Sequence, residues 1–307
     1  MKFKINPVYK KELKISVRTI RMAMIILGYN VILGLIGILS FFVTFEYSYY
    51  NTVKYSGVLE IYLFLAVIEF GLVLFVVPAF TSSAISGERE KQTLEILLTT
   101  KLKPSQIIVG KLLSSISSTL LLVFSSLPIL ALVFSIGGIR LFDLIQLMIF
   151  CTTSAVFIGS IGIFFSTCFK KTVPSTVFTY GCVILLIFGT LAVIAAGYII
   201  GVQDYDKQFY ASGATGEYSP PGVGSAILLL LINPAASLLA LVSQQFGSPS
   251  YFSNFLLQYG TANTFVFDHW YGISILTQLV LAAILLLISI QKLNPLKSKS
   301  RRHHALQ

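Results

Sequence analysis

At 307 residues, with 55% hydrophobic and only 11% charged side chains, the chain is far more apolar than a soluble domain, in which about a quarter of residues are charged. A water-soluble fold of this length cannot hide so much apolar surface, because part of every fold faces solvent; a soluble enzyme or binding domain is excluded. The formal charge of +10 does not argue for nucleic acid as a partner, because the basic residues sit between apolar runs and form no stripe.

The N-terminal stretch 1–21 interleaves Ile5, Val8, Leu13, Ile15 and Val17 with lysines, and Asn6-Pro7 suits a helix start. It reads as an amphipathic helix lying on the cytoplasmic leaflet, or more simply as a polybasic anchor. The apolar run that follows is too long for a signal-peptide core, so the first span is expected to be retained. Spans are predicted at about 22–44, 60–83, 106–135, 143–168, 175–202 and 270–290, each near the roughly 20 residues a helix needs to cross hydrocarbon. Asn30 in the first span is a candidate pathway residue or a hydrogen-bonding tie between helices. Glu69 in the second lies nine residues beyond Glu60, about 13 Å along the helix and close to mid-bilayer. A carboxyl there either lines a substrate path or sits hydrogen-bonded between helices. The cluster Ser114, Ser115, Ser117, Ser118 and Thr119 offers close helix packing or a polar conduit, and Gly197-xxx-Gly201 is a weak packing signal.

Between the second and third spans lies Ser86 to Lys111. Ser86 can cap a helix, Glu88 and Glu90 suit its first turn, and Lys91 and Glu95 are spaced i, i+4. Leu94, Leu97 and Leu98 form one stripe, and Pro104 with Ser105 stops this helix and starts the next. One helix over 87–99 is expected. It could carry force from a soluble partner into the membrane, or be an ordinary interfacial loop helix; the residues alone leave both open.

The outer region 203–269 contains the apolar stretch 223–242, broken by Asn233-Pro234. A seventh span here would put the basic C-terminus outside, so a re-entrant or surface-lying hairpin is expected. Tyr205, Phe209, Tyr210, Tyr218, Tyr251, Phe252, Phe255 and Tyr259 suit an interfacial belt or an exit gate, and Trp270 reads as an interfacial anchor. Residues 291–307 form a basic tail. With the N-terminus inside, 19 of the 22 basic residues are cytoplasmic and only Lys54, Arg140 and Lys207 are outside, as the positive-inside rule requires.

The run Gly87-Glu88-Arg89-Glu90, then Thr93-Leu94-Glu95, Leu97-Leu98 and Ser105 through Gly110-Lys111, resembles the signature loop of ABC type-2 exporter permeases. Asn6-Pro7 followed by Lys11-Glu12, and Asn233-Pro234 with Leu238 and Leu239, are similar to one branch of that family, often labelled permeases of copper-enzyme maturation or multidrug systems. The resemblance implies an all-α polytopic membrane protein with a cytoplasmic coupling helix that docks into a separate ABC ATPase subunit. It implies a coupling role for Gly87, Glu88, Arg89, Glu90, Thr93, Leu94 and Glu95. It also implies a second permease copy or related subunit, contact with membrane lipids and a bacterial plasma membrane location with both termini cytoplasmic. The cargo it implies is amphipathic: a peptide antibiotic, drug or lipid-linked compound.

The chain has no GxxxxGK[ST] loop, since Gly110-Lys111 is followed by Leu112 and preceded at the first glycine position by Ser105. ATP and magnesium are therefore expected in the partner. No catalytic or metal constellation is expected. Cys151, Cys168 and Cys182 read as packing residues, His303 and His304 as solvated, and His269 as a headgroup-level residue. A non-transporting scaffold or sensor driven by an ABC ATPase is an alternative. So is an ATP-independent carrier, which would show internal repeats and several mid-membrane charges.

Overall fold

The computed structural model describes residues 8–10, 12, 20–48, 55–99, 102–136, 140–212, 221–246, 252, 254, 256, 259–260 and 264–293. Of the expected N-terminal helix over 1–21, Val8–Lys10 and Glu12 are described and helical; Asn6-Pro7 and Lys11 lie outside the described residues. So do Tyr218, Tyr251, Phe255, His303, His304 and the tail from 294.

The helices are α1 Ile20–Ser48, α2 Tyr55–Thr81, α3 Ser86–Glu90, α4 Leu94–Thr99, α5 Pro104–Ile136, α6 Leu141–Cys168, α7 Thr172–Ile184, α8 Thr190–Ala211, α9 Pro234–Gln245, α10 Thr264–Asp268 and α11 Trp270–Leu293. A π-helical turn, Leu185–Gly189, joins α7 to α8, and a 3-10 helix, Ser225–Leu231, precedes α9. Six helical stretches are long and apolar enough to cross a bilayer: those of α1, α2, α5, α6, α7–α8 and α11. The 3-10 helix and α9 together are also apolar enough, but they bend by 89° at Ile232-Asn233. The six predicted spans are thus present, most of them longer than expected. Among the described residues there is no sheet, only a bridge between Gly224 and Gly260.

The chain forms two compact units, residues 1–181 with 279–307, and residues 182–278. In the first, α2, α5 and α6 pack around Tyr62, Leu65, Val73, Leu122, Leu147 and Phe157, and α1 adds Leu33. Close approach depends on α6: a side chain at Gly162 would collide with Thr81, and one at Gly159 would meet Leu112 at 2.9 Å. Small residues let membrane helices come together where burial of apolar surface offers no driving force. By contrast Gly197 has nothing within 4 Å and Gly201 only Pro221 at 3.9 Å, so among the described residues that weak packing signal brings no helix close. Ser118 and Thr119 bond to the carbonyls of Ser114 and Ser115, which satisfies them within their own helix. Ile20, Leu27, Ile32 and Phe42 leave an apolar outer face on α1.

The second unit is organised around Asn233, which is fully buried. Its side chain caps α9 by accepting from Ala235 N at 2.8 Å, with Pro234 in the first turn. Its amide also donates to Ile187 O at 3.0 Å and to Thr190 Oγ1 at 2.8 Å. A π-helical turn disturbs the regular i→i+4 ladder, and Asn233 supplies a donor to the carbonyl there. Ser274 donates to Leu231 O at 2.9 Å, and Gln278 donates to Ser237 Oγ at 2.8 Å. Trp270 is only 1% exposed, in a core with Ile227, Leu230, Ala236, Leu256 and Phe267. The interfacial-anchor expectation for Trp270 is therefore corrected. Ile227, Leu230, Ala236 and Leu256 cover the ring, which its position at a span's start did not reveal. His269 is exposed and stacked on Phe265 at 4.5 Å.

Candidate functional site

The segment after α2 departs from the single helix expected over 87–99. It is two short helices, α3 and α4, separated at Lys91–Thr93. Gln92 adopts φ 59°, the left-handed region. Thr93 N donates to Glu88 O at 2.9 Å and Gln92 N to Arg89 O at 3.1 Å, the paired bonds of a Schellman C-cap. The Thr93 hydroxyl also donates to the Glu88 carboxylate. Lys91 and Glu95 fall on opposite sides of this break. Ser86 does not cap α3 but lies inside it, its hydroxyl donating to Ser82 O at 2.9 Å. At α5, Pro104 opens the helix and Gln106 Oε1 accepts from Lys103 N at 3.0 Å, in place of the cap expected from Ser105.

Three consecutive residues of α3 reach three different spans. Glu88 pairs with Lys111 of α5 at 3.1 Å. Arg89 donates to Phe169 O at 2.9 Å and to Thr167 O at 3.4 Å, closing carbonyls that the end of α6 leaves open. Glu90 accepts from Thr172 Oγ1 at 2.8 Å and Thr172 N at 3.2 Å, capping the start of α7, where a carboxylate is favoured. Beneath them Ser166 Oγ accepts from Ile85 N at 2.8 Å and Ser86 N at 2.9 Å. Ser175 Oγ donates to Ser82 O at 2.6 Å. Gly87 sits against Thr172, which a side chain would meet at 3.6 Å.

Burial alone pushes the Glu88 carboxyl up, but the Thr93 hydroxyl and the Lys111 and Lys91 ammoniums outweigh it and hold the group below its ordinary range. The Thr172 hydroxyl and N–H hold Glu90 below its ordinary range too. Both carboxylates are kept charged where they make their ties.

The sequence-predicted residues therefore divide. Gly87, Glu88 and Arg89 are half-buried against their own chain, and Glu90, though exposed, bonds to it through Thr172. Thr93 completes the turn, and Leu94 is buried at 6%. Glu95 is exposed, and beside it Ile96 is 67% exposed, an apolar side chain at the tip of a charged loop. Lys111, Ser166 and Ser175 belong to the same cluster; Lys111 closes the resembling run but was given no role, and the two serines were not singled out from sequence. The available signal was Lys111 itself, a basic residue seven positions inside an otherwise uncharged helix.

The two candidate pathway residues lie elsewhere in the same unit. Asn30 donates to Ser125 Oγ at 2.8 Å and to Ile26 O at 2.8 Å, so it ties α1 to α5. Glu69 is fully buried and accepts from Ser126 Oγ at 2.7 Å. Its second oxygen and the Tyr29 hydroxyl are buried without a hydrogen-bond partner among the described residues. No group of His, Cys, Asp and Glu able to hold a metal occurs among the described residues.

Six apolar helices long enough to cross a bilayer define a multi-pass membrane protein, in which the loop after α2 is bonded to α5, α6 and α7. The chain belongs to the ABC-2 transporter family: the family model described as ABC-2 family transporter protein matches residues 7–291. Membership makes it a membrane-spanning permease component of a transporter, and the family implies an ABC ATPase subunit as its partner. A comparison with curated proteins finds no matching relative.

Proposed function

We propose that this chain forms half of the translocation pathway of an ATP-driven exporter, and that the ATPase subunit docks on residues 91–99. The observation that carries this reading is the division within the loop. Glu88, Arg89 and Glu90 are each tied to a different span, whereas Lys91, Gln92, Glu95 and Ile96 face outward. A motor that grips the outward part moves the inward part, and with it three spans. A second permease copy or related subunit completes the pathway, and ATP with magnesium acts in the partner.

The ATPase side is the cytoplasmic side, with both termini on it. Lys292 at the end of α11 lies 3.0 Å from Cys168 Sγ and over the Phe164 ring, at the same end as Arg89, Lys170 and Lys171. That concentration of cations supports the orientation. The Ser225–Gln245 pair is read as a re-entrant hairpin, its break covered by Asn233. The exported compound is amphipathic, matched by the half-buried Tyr205 and Phe209 and the exposed Tyr210 near the end of α8 and by the broad apolar faces of the spans.

The test is co-purification in mild detergent of wild type, Ile96→Glu and Glu90→Ala. A stoichiometric ATPase subunit is expected with wild type and Glu90→Ala and lost with Ile96→Glu. Wild type free of any ATPase under several mild conditions would overturn the reading.

A further inference from the structure

Lys111 is a cation almost sealed from solvent, with its side chain 6% exposed. It lies seven residues into α5, about 10 Å from the start of that helix. Its ammonium is 2.7 Å from Glu12 Oε1 and 3.1 Å from Glu88 Oε1. The two carboxylates come from segments about 75 residues apart in sequence, and both are near 30% exposed. Charge-assisted bonds of this kind are the strong ones, and a buried ammonium holds its partners because losing them strands it. A second contact places the N-terminal segment along the same helix: Tyr9 and Ser117 hydroxyls are 3.2 Å apart, and Val8 is buried.

The covalent route from the loop to α5 is poorly built to carry force. It passes through the Gln92 turn, the six-residue α4 and non-helical Leu102-Lys103 before Pro104. Each break can absorb a displacement. The route through Glu88 and Lys111 crosses from helix to helix in one ion pair.

We propose that Lys111 is the joint at which the N-terminal segment and α3 are fastened to the third span, so that movement of the 86–99 segment reaches α5 through this ion pair. Lys111 is a positioning residue here; it needs no contact with substrate or ATPase. The claim about movement rests on the docking reading above, whereas the fastening does not.

Hydrogen exchange read by mass spectrometry on the purified permease tests the fastening alone. Lys111→Met should raise exchange by about tenfold in peptides covering 8–12 and 86–93, because local opening sets the rate, and leave α6 unchanged. Lys111→Arg should match wild type. Glu12→Gln, which keeps the Glu88 pair, should loosen 8–12 only. It decides the point should Lys111→Met disturb α6 as well. Unchanged exchange at 8–12 in Glu12→Gln, or at either segment in a folded Lys111→Met, would overturn the fastening. In the complex with the co-purified ATPase, adding ATP should alter exchange in both 86–99 and 104–117 of wild type and Lys111→Arg. With Lys111→Met the response should remain in 86–99 and vanish from 104–117; a retained response would overturn the joint. Wild type that purifies without ATPase would sink the docking reading and leave the fastening to the first measurement.

Discussion

Gln92 shows how a single dihedral angle shapes the attachment segment. A left-handed residue other than glycine costs roughly 1–2 kcal/mol, and glycine is the usual occupant of this C-cap position. Gln92 stands there at φ 59°, so the turn is maintained by the Thr93 and Glu88 bonds around it. Gln92→Gly is expected to stabilise the protein by up to about 1 kcal/mol, and Gln92→Val to destabilise it, since β-branching makes this conformation worse. Thermal melting in detergent checks both; a lower melting temperature for the glycine variant would contradict the strain. The absence of glycine is also why this break was not legible in the sequence. Charge spacing over 87–99 favoured a continuous helix, and no residue type announced its end. Glu69 and Asn30 were legible as unusual polar residues inside spans. Which partners they meet depends on which helices are neighbours, and one sequence does not fix that. The structure gives both hydroxyl partners on α5, at the adjacent positions Ser125 and Ser126.

At the scale of elements, the six spans follow from hydropathy and length, and their sequence limits fall within a few residues of the helices except at the fifth. There the predicted end at 202 gives way to a helix running to Ala211, with a π-helical turn inside it. Nothing in the apolar run around Leu185–Gly189 marks a π turn, because its stabilising donor comes from a residue 46 positions away. Asn233-Pro234 was legible as a break but not as that donor. Asn233→Ala removes the α9 cap and two hydrogen bonds to the fifth span, and is expected to cost about 2–3 kcal/mol. Asn233→Ser keeps a capping oxygen and should lose less. Melting curves of the two variants read this directly; an unchanged melting temperature for Asn233→Ala would show that the π turn does not need it. The close approach at Gly159 and Gly162 escaped the sequence for a different reason. Glycine pairs are common in spans, and only a neighbour such as Thr81 shows which pair is used.

At the scale of the whole molecule, one short segment of the permease is fixed to several of its spans. The family assignment covers residues 7–291, and the residues behind the resemblance acquire a physical reason in the structure. Gly87 sits close against Thr172, Glu88 binds Lys111, Arg89 closes α6 and Glu90 opens α7. These bonds run to the chain's own spans, which is why the docking proposed above falls on the adjacent residues 91–99. The most direct test places a photo-crosslinking side chain at position 96 or, separately, at position 89, in membranes that also contain the ATPase subunit. A crosslink to the ATPase is expected from position 96 and, from position 89, crosslinks only within the permease. ATPase captured from position 89 and not from 96 would rule out docking on residues 91–99 and make Gly87–Glu90 the docking surface.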